Sequence, residues 1–323
     1  MSDPVACCDI GGTKILLGII DQDSAIVAKD KYLVGDKRDP RALVAELAAR
    51  LDSLLEEAGL SRREVAGLGC SMAGMIDLER GFVYSAPALG WRDVGLKDAL
   101  EEALGLPVVV EMDAYAMALG EAQRGAGVGR QHLVGIVVGT GIGAGLILDG
   151  RPYHGCRGLA GEFGHMILVP DGPRCNCGRY GCLEALASGT AIAARAQGAL
   201  EQGRATLIGE LAAECPSGVT SEVVFAAARR ADRVALTVID EAARYLGIGI
   251  ANLITLLSVD TVILGGGVGH GGADLLMPRL TAVVDPHLEY WTRALDVQIS
   301  VGALGEDAAL IGASGAMRMA LDP

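Results

Sequence analysis

Residues Val137–Gly150 read VVGTGIGAGLILDG, repeating a design met earlier at Val5–Ile20, VACCDIGGTKILLGII. Each stretch is an apolar run, a glycine-rich tip and a second apolar run, which is the pattern of a β-hairpin. The first tip, Gly11-Gly12-Thr13, follows Asp9; the second is Gly139-Thr140-Gly141. Glycines let a backbone approach phosphate oxygens, and the turn amides and threonine hydroxyl offer donors. Asp9, at a strand end, is positioned to hold Mg²⁺ through water. Taken singly, either tip is equally an ordinary tight hairpin. Taken together, they predict two copies of one α/β unit facing each other and gripping a nucleotide phosphate chain from both sides. No G-x-x-x-x-G-K-[ST] run occurs. The G-x-G-x-G tip is followed by a strand-like LIL, where a dinucleotide fingerprint requires a helix.

Bulk properties narrow the function. A chain of 323 residues, half of them apolar, is large for one core, so two domains are expected. The net charge of −13 disfavours a nucleic-acid partner, which needs a basic face, but not ATP held in a local pocket. Three Phe and two Trp argue against a site built on aromatic stacking. The opening Met-Ser-Asp-Pro lacks a basic start and an apolar h-region, and no apolar run approaches a membrane span. Eight cysteines in that context predict reduced thiols or metal ligands and a cytoplasmic protein.

Gly161–Glu184, GEFGHMILVPDGPRCNCGRYGCLE, supplies a candidate metal site. His165, Cys175, Cys177 and Cys182 make a complete tetrahedral set for zinc, with no open position, so such a site braces a loop and performs no chemistry. The spacing is not that of a standard finger, and a buried histidine beside unrelated thiols is the alternative. Glu162 and Glu184 flank the cluster, where a metal knot would fix them for substrate recognition.

Elsewhere, Asp39-Pro40 reads as a cap and first turn of a helix whose Leu43, Leu47, Leu51, Leu54 and Leu55 share one face, ended by Gly59. A strand at Val65–Ser71 leads into a loop at 73–77. Leu106–Glu121, LPVVVEMDAYAMALGE, is a strand ending at Glu111 and a helix from Asp113. A carboxylate there sits where open α/β sheets bind ligands, and phosphoryl transfer uses an Asp to take the hydroxyl proton. By itself Asp113 reads more simply as a helix cap. An alanine-rich helix at Leu183–Leu200, one or two helices within 230–257 and a strand at Val259–Leu264 follow. Gly265, Gly266 and Gly267 then precede a helix from about Ala273, a turn that admits a nucleotide or is merely structural. Glu306–Met319 is the last helix. Lys14, His132, His154, His270 and Cys215 show no partner in the sequence and receive no catalytic role. Cys7, Cys8 and Cys70 read as small core residues.

From DIGGTK to the last helix, the chain resembles the ROK family (repressor, open reading frame, kinase), mostly ATP-dependent sugar kinases similar to bacterial glucokinases. The Gly161–Glu184 segment resembles its signature. The resemblance implies zinc on His165, Cys175, Cys177 and Cys182, and sugar contacts from Glu162, His165 and Glu184. It makes Asp113 the catalytic base, Gly11–Lys14 and Gly139–Gly141 the phosphate loops, and Gly265–Gly267 the adenosine loop. It implies duplicated ribonuclease H-like domains of the actin, Hsp70 and sugar kinase superfamily with a cleft between them. The smaller domain would be 1–121 plus 306–323 and the larger 122–305. ATP, Mg²⁺ and structural Zn²⁺ are the implied cofactors. A homodimer or dimer of dimers is the implied assembly.

Three departures stand out. The family carries Glu-Asn-Asp-Ala where this chain has Glu111-Met112-Asp113-Ala114. It carries Asn-Leu-Gly-Trp where this chain has Ala88-Leu89-Gly90-Trp91, and a proline–glycine–proline near Ala73-Gly74-Met75. With both amides gone, a glucose complex loses about 2–5 kcal/mol, counting about 1 kcal/mol per net hydrogen bond and 1–3 per unpaired hydroxyl. The expected acceptor is a hexose-like ring, with an amino sugar or cyclitol as the alternative. Family repressors carry an amino-terminal helix-turn-helix; with a phosphate loop starting at residue 9, a regulator or non-catalytic sugar sensor is the lesser expectation.

Overall fold

The computed structural model describes residues 3–35, 38–289 and 296–322. They form two compact units: Met1–Gly129 with Gly145–Ala160 and Glu306–Pro323, and Arg130–Ala144 with Gly161–Gly305. No described helix is long and apolar enough to cross a membrane.

In the first unit, β1 (Val5–Ile10), β2 (Lys14–Ile20) and β3 (Ile26–Leu33) form an antiparallel meander, with β4 (Leu68–Met72) parallel to β1. A three-stranded antiparallel sheet of β5 (Met75–Asp77), β6 (Phe82–Ala86) and β7 (Trp91–Gly95) intervenes before β8 (Val108–Met112), which is parallel to β4. The main sheet runs β3-β2-β1-β4-β8. Its register sets Asp9 opposite Ser71 and Ser71 opposite Glu111, so these polar side chains share one face near the carboxyl ends of three parallel strands. Helices α1 (Pro40–Glu57), α2 (Leu96–Leu104) and α3 (Asp113–Arg124) complete the chain's first third. Asp39 caps α1 by accepting from the Ala42 amide at 3.0 Å, and its five stripe leucines are buried.

The second sheet repeats the first. Its order is β11-β10-β9-β12-β13, built from β9 (Leu133–Val138), β10 (Ile142–Leu148), β11 (Arg151–Pro152), β12 (Thr261–Gly265) and β13 (Gln298–Val301). β12 is parallel to both neighbours. The duplicated plan expected from the two glycine-tipped hairpins is therefore present, strand for strand. The helices here are α4 (Leu183–Ala187), α5 (Gly189–Glu201), α6 (Ile208–Ala213), α7 (Ser221–Arg229), α8 (Arg233–Leu257), α9 (Gly266–Gly271) and α10 (Ala273–Leu288).

The last helix, α11 (Ala308–Leu321), belongs to the first unit and packs along α3. Gly312 and Gly120 make that crossing possible: a Cβ on Gly312 would fall on the Ala116 carbonyl, and one on Gly120 on that of Ala308.

Three local expectations need correcting. Residues 183–200 are two helices, because Ser188 leaves the helical region and caps α5 through the Ala191 amide at 3.2 Å. Part of the 73–77 loop is strand β5, which pairs with β6. Finally, β8 continues to Met112, so Met112 holds the cap position of α3 and Asp113 is its first helical residue, not its cap.

Candidate functional site

In the first unit, the Gly11–Thr13 tip, Asp9 and Asp113 converge on the carboxyl edge of the sheet. Asp9 Oδ1 accepts from the Ser71 hydroxyl at 2.8 Å. Burial raises the Asp9 carboxyl to about 6, the Ser71 bond opposes this, and the nearby Asp113 charge adds to it. Burial also raises Asp113, against the pull of the Ala114 amide, which donates to Oδ1 at 2.8 Å. Two neighbouring carboxylates, each held above the usual range, suit one to share a cation and the other to accept a proton. Ala88 adjoins the glycine tip: a Cβ added to Gly12 would lie 2.6 Å from that of Ala88. Arg38 Nη1 donates to the Ala88 carbonyl at 3.0 Å. Met112 caps α3 without any side-chain bond.

In the second unit, the ligand atoms of His165, Cys175, Cys177 and Cys182 all lie within 4.8 Å of one another. One nitrogen and three sulfurs at that spacing fit tetrahedral zinc. The imidazole is shared by its two sides: Nδ1 is 3.7 Å from Cys175 Sγ and Nε2 is 3.7 Å from Glu162 Oε2. Cys177 is held down to about 6, chiefly by the Arg179 backbone amide, as suits a thiolate ligand. Glu184 heads α4 and accepts from the Ile142 amide at 3.1 Å, which fixes it under the Gly139–Gly141 tip. A Cβ on Gly141 would sit 2.5 Å from Glu184 Oε2. Thr190 donates to the Thr140 carbonyl at 2.8 Å and Gly189 to that of Gly139 at 2.7 Å. Gly266, with φ of +80°, turns the chain so tightly from β12 into α9 that a Cβ would meet the Val138 carbonyl at 2.5 Å. Gly265, Gly266 and Gly267 therefore lie beside the end of β9 that carries the Gly139 tip.

Several partners were invisible in the sequence. Lys14 pairs with Glu306 at 2.6 Å, and Lys31 joins them at 2.9 Å. The two lysines hold the Glu306 carboxyl down to about 2. His154 Nε2 meets Glu111 Oε2 at 2.8 Å. His270 lies between the Gly266 and Gly302 carbonyls at 3.2 and 3.1 Å. Apart from the His270–Gly266 contact, four residues apart within one helix, these partners are distant in sequence and no periodic signal marks them.

Two such sheets in two units, each with a glycine-tipped hairpin, define the actin-like α/β class. A ROK family model matches residues 5–319, and the chain belongs to that family. It is 39% identical over 311 residues to a glucokinase from Halalkalibacterium halodurans, covering 94% of this chain and 92% of the other. Among solved structures, a ROK hexokinase from Thermus thermophilus superposes with a TM-score of 0.82 at 33% identity, over 99% of both chains. A ROK glucokinase from Streptomyces griseus, in complex with glucose and AMPPNP, also scores 0.82 at 34% identity, over 98% of this chain and 99% of that one. Other relatives differ in function. An N-acetylmannosamine kinase of Escherichia coli is 32% identical over 312 residues, 95% of each chain. A xylose repressor of Caldicellulosiruptor bescii is 30% identical over 274, 85% of this chain and 68% of its own.

Proposed function

We propose that this protein is an ATP-dependent sugar kinase that transfers the γ-phosphoryl group to a hydroxyl of a hexose-like ring. The observation that carries the reading is the Asp9–Asp113 pair beside a glycine tip, in a chain near full-length similar to glucokinases. Asp113 accepts the proton of the attacking hydroxyl; the rise of its pKa on burial makes it a better base near neutral pH. The Gly11–Lys14 and Gly139–Gly141 loops hold the phosphates through backbone amides, and Gly265–Gly267 borders the adenosine. Asp9 would hold Mg²⁺, whose charge would offset the negative charge on the transferred group. Glu162, His165 and Glu184 orient the ring hydroxyls, with His165 turning Nδ1 to the thiols and Nε2 to Glu162. His165, Cys175, Cys177 and Cys182 would hold zinc, which would brace that loop. Replacing Asp113 with Asn should cost roughly 10²–10⁴-fold in turnover, while MgATP and acceptor still bind in calorimetry. Retained activity would remove Asp113 as the base.

A second reading narrows the acceptor to an amino sugar or cyclitol. It is favoured by apolar Met112 and Ala88 where the family carries amides, and by the kinship with an N-acetylmannosamine kinase. ATP consumption across hexoses, amino sugars and cyclitols decides it; glucose leading in kcat/KM rejects this narrower reading. Repressors among the relatives keep a non-catalytic sensor in view. Absence of turnover on every acceptor would favour the sensor.

A further inference from the structure

The two residues that flank Asp113 at two positions' distance, Glu111 and Tyr115, are both held by one dipeptide. Glu111 is 4% exposed and meets His154 Nε2 at 2.8 Å through Oε2, while Oε1 accepts from the Met112 amide at 2.9 Å. Among the described residues no lysine or arginine pairs with it. A carboxylate oxygen is an acceptor, so this contact is a hydrogen bond in the tautomer that carries its proton on Nε2. Tyr115, fully buried, donates its hydroxyl to the Tyr153 carbonyl at 2.6 Å. The Tyr115 and His154 rings also pack in a tilted contact, with centroids 4.7 Å apart and planes 36° apart. The strap carrying the dipeptide closes on itself, since the Ala160 amide donates to the His154 carbonyl at 3.0 Å. From the other direction, Gly145 brings its backbone so close to Ala114 and Tyr115 that a Cβ there would overlap them.

We propose that Tyr153–His154 is a clamp that positions Asp113. His154 fixes the end of β8 through Glu111, and Tyr153 fixes the first turn of α3 through Tyr115. The carboxylate between them is thereby aimed by contacts on both sides. Among the described residues, the Asp113 carboxylate is bonded only to the Ala114 amide and its own backbone, and Met112 adds no cap bond. The strap therefore adds side-chain contacts on both sides of a junction whose backbone is set by pairing with β4 and packing against α11. Removing the imidazole leaves Oε2 of the buried Glu111 without its partner, a cost that favours a shift of the junction toward water. A displacement of about 1 Å at a reacting group costs about 10²-fold in rate.

This inference rests on Asp113 being the base, so its test carries one readout that does not need turnover. The full-length protein, His154→Ala, His154→Gln and Tyr115→Phe are compared by initial rates and by hydrogen exchange. His154→Ala should lower kcat about 10–100-fold with KM for MgATP and acceptor within about threefold, and speed exchange in residues 111–116 above other peptides. Gln, whose amide donates to Glu111 from the same place, should restore most of both. Tyr115→Phe should give a smaller loss of the same kind, and it stands in if His154→Ala fails to fold. A rise in KM with kcat unchanged would make His154 a ring contact and overturn the proposal. Unaltered exchange at 111–116 in both His154→Ala and Tyr115→Phe would also overturn it. If the wild-type protein phosphorylates nothing, the kinase reading falls, and the exchange data alone still decide the clamp.

Discussion

Met112→Asn separates the two consequences of the missing amide. Met112 holds the cap position of α3 with φ −72° and ψ 143°, an extended conformation that asparagine adopts readily, and it makes no side-chain capping bond. An Asn carbonyl there would accept from a first-turn amide. Because Asp113 Oδ1 already takes the Ala114 amide at 2.8 Å, the gain lies at the low end for a cap, about 0.5–1 kcal/mol. For a unit of this size that raises Tm by about 1–4 °C. The two amide hydrogens then face outward as donors. One regained bond to a ring hydroxyl contributes about 0.5–1.5 kcal/mol, or up to about 3 where the hydroxyl was buried unpaired. That is about a 2- to 150-fold rise in kcat/KM for glucose. Scanning fluorimetry and initial rates on glucose and on amino sugars read both effects. A stabilised variant with kcat/KM for glucose unchanged, and no change in its ratio to amino sugars, would refute the link between the lost amide and acceptor choice.

The remaining predictions address charge, metal and packing. Asp9 is raised from 3.8 to about 6, so its proton favours the fold; stability of the metal-free protein should decline as pH rises through that window, and Asp9→Asn should reduce that slope in urea titrations, leaving the part that comes from Asp113, which burial also raises. MgATP binding should run the other way, weakening as pH falls below about 6, when Asp9 loses its charge. Zinc analysis should find one ion per chain. Chelation or Cys177→Ser should raise acceptor KM before it affects MgATP binding, and a metal-free protein with unaltered acceptor KM would contradict the bracing role. Gly312→Ala places a methyl on the Ala116 carbonyl at the α3–α11 crossing and should cost above about 3 kcal/mol in chemical denaturation. Gly198→Ala, mid-helix in α5 with open space around it, should instead gain about 0.5–1 kcal/mol.

The features legible in the chain are those whose physics is local. The hairpin tips, the Asp39 cap with its leucine stripe, and the His165–Cys182 cluster each lie within a short stretch of chain, where local sequence brings the residues together. The Ser188 break was missed although it too is local, because an alanine-rich composition outweighs a single cap in any windowed reading. A one-residue extension of β8 was enough to change Asp113 from cap to first helical residue, a difference that strand pairing with β4 settles and composition does not.

By itself, the sequence determined a doubled α/β plan, the ligand types of the metal cluster and the identity of the acids. Tertiary structure decided which of those acids meet and what surrounds them. Ser71 bonds Asp9 across 62 residues, His154 bonds Glu111 across 43, and Glu306 bonds Lys14 across 292. The reason is that hydrogen-bond partners and desolvation depend on separation in space, which parallel strand pairing and the return of the last helix set; no period or motif along the chain encodes it.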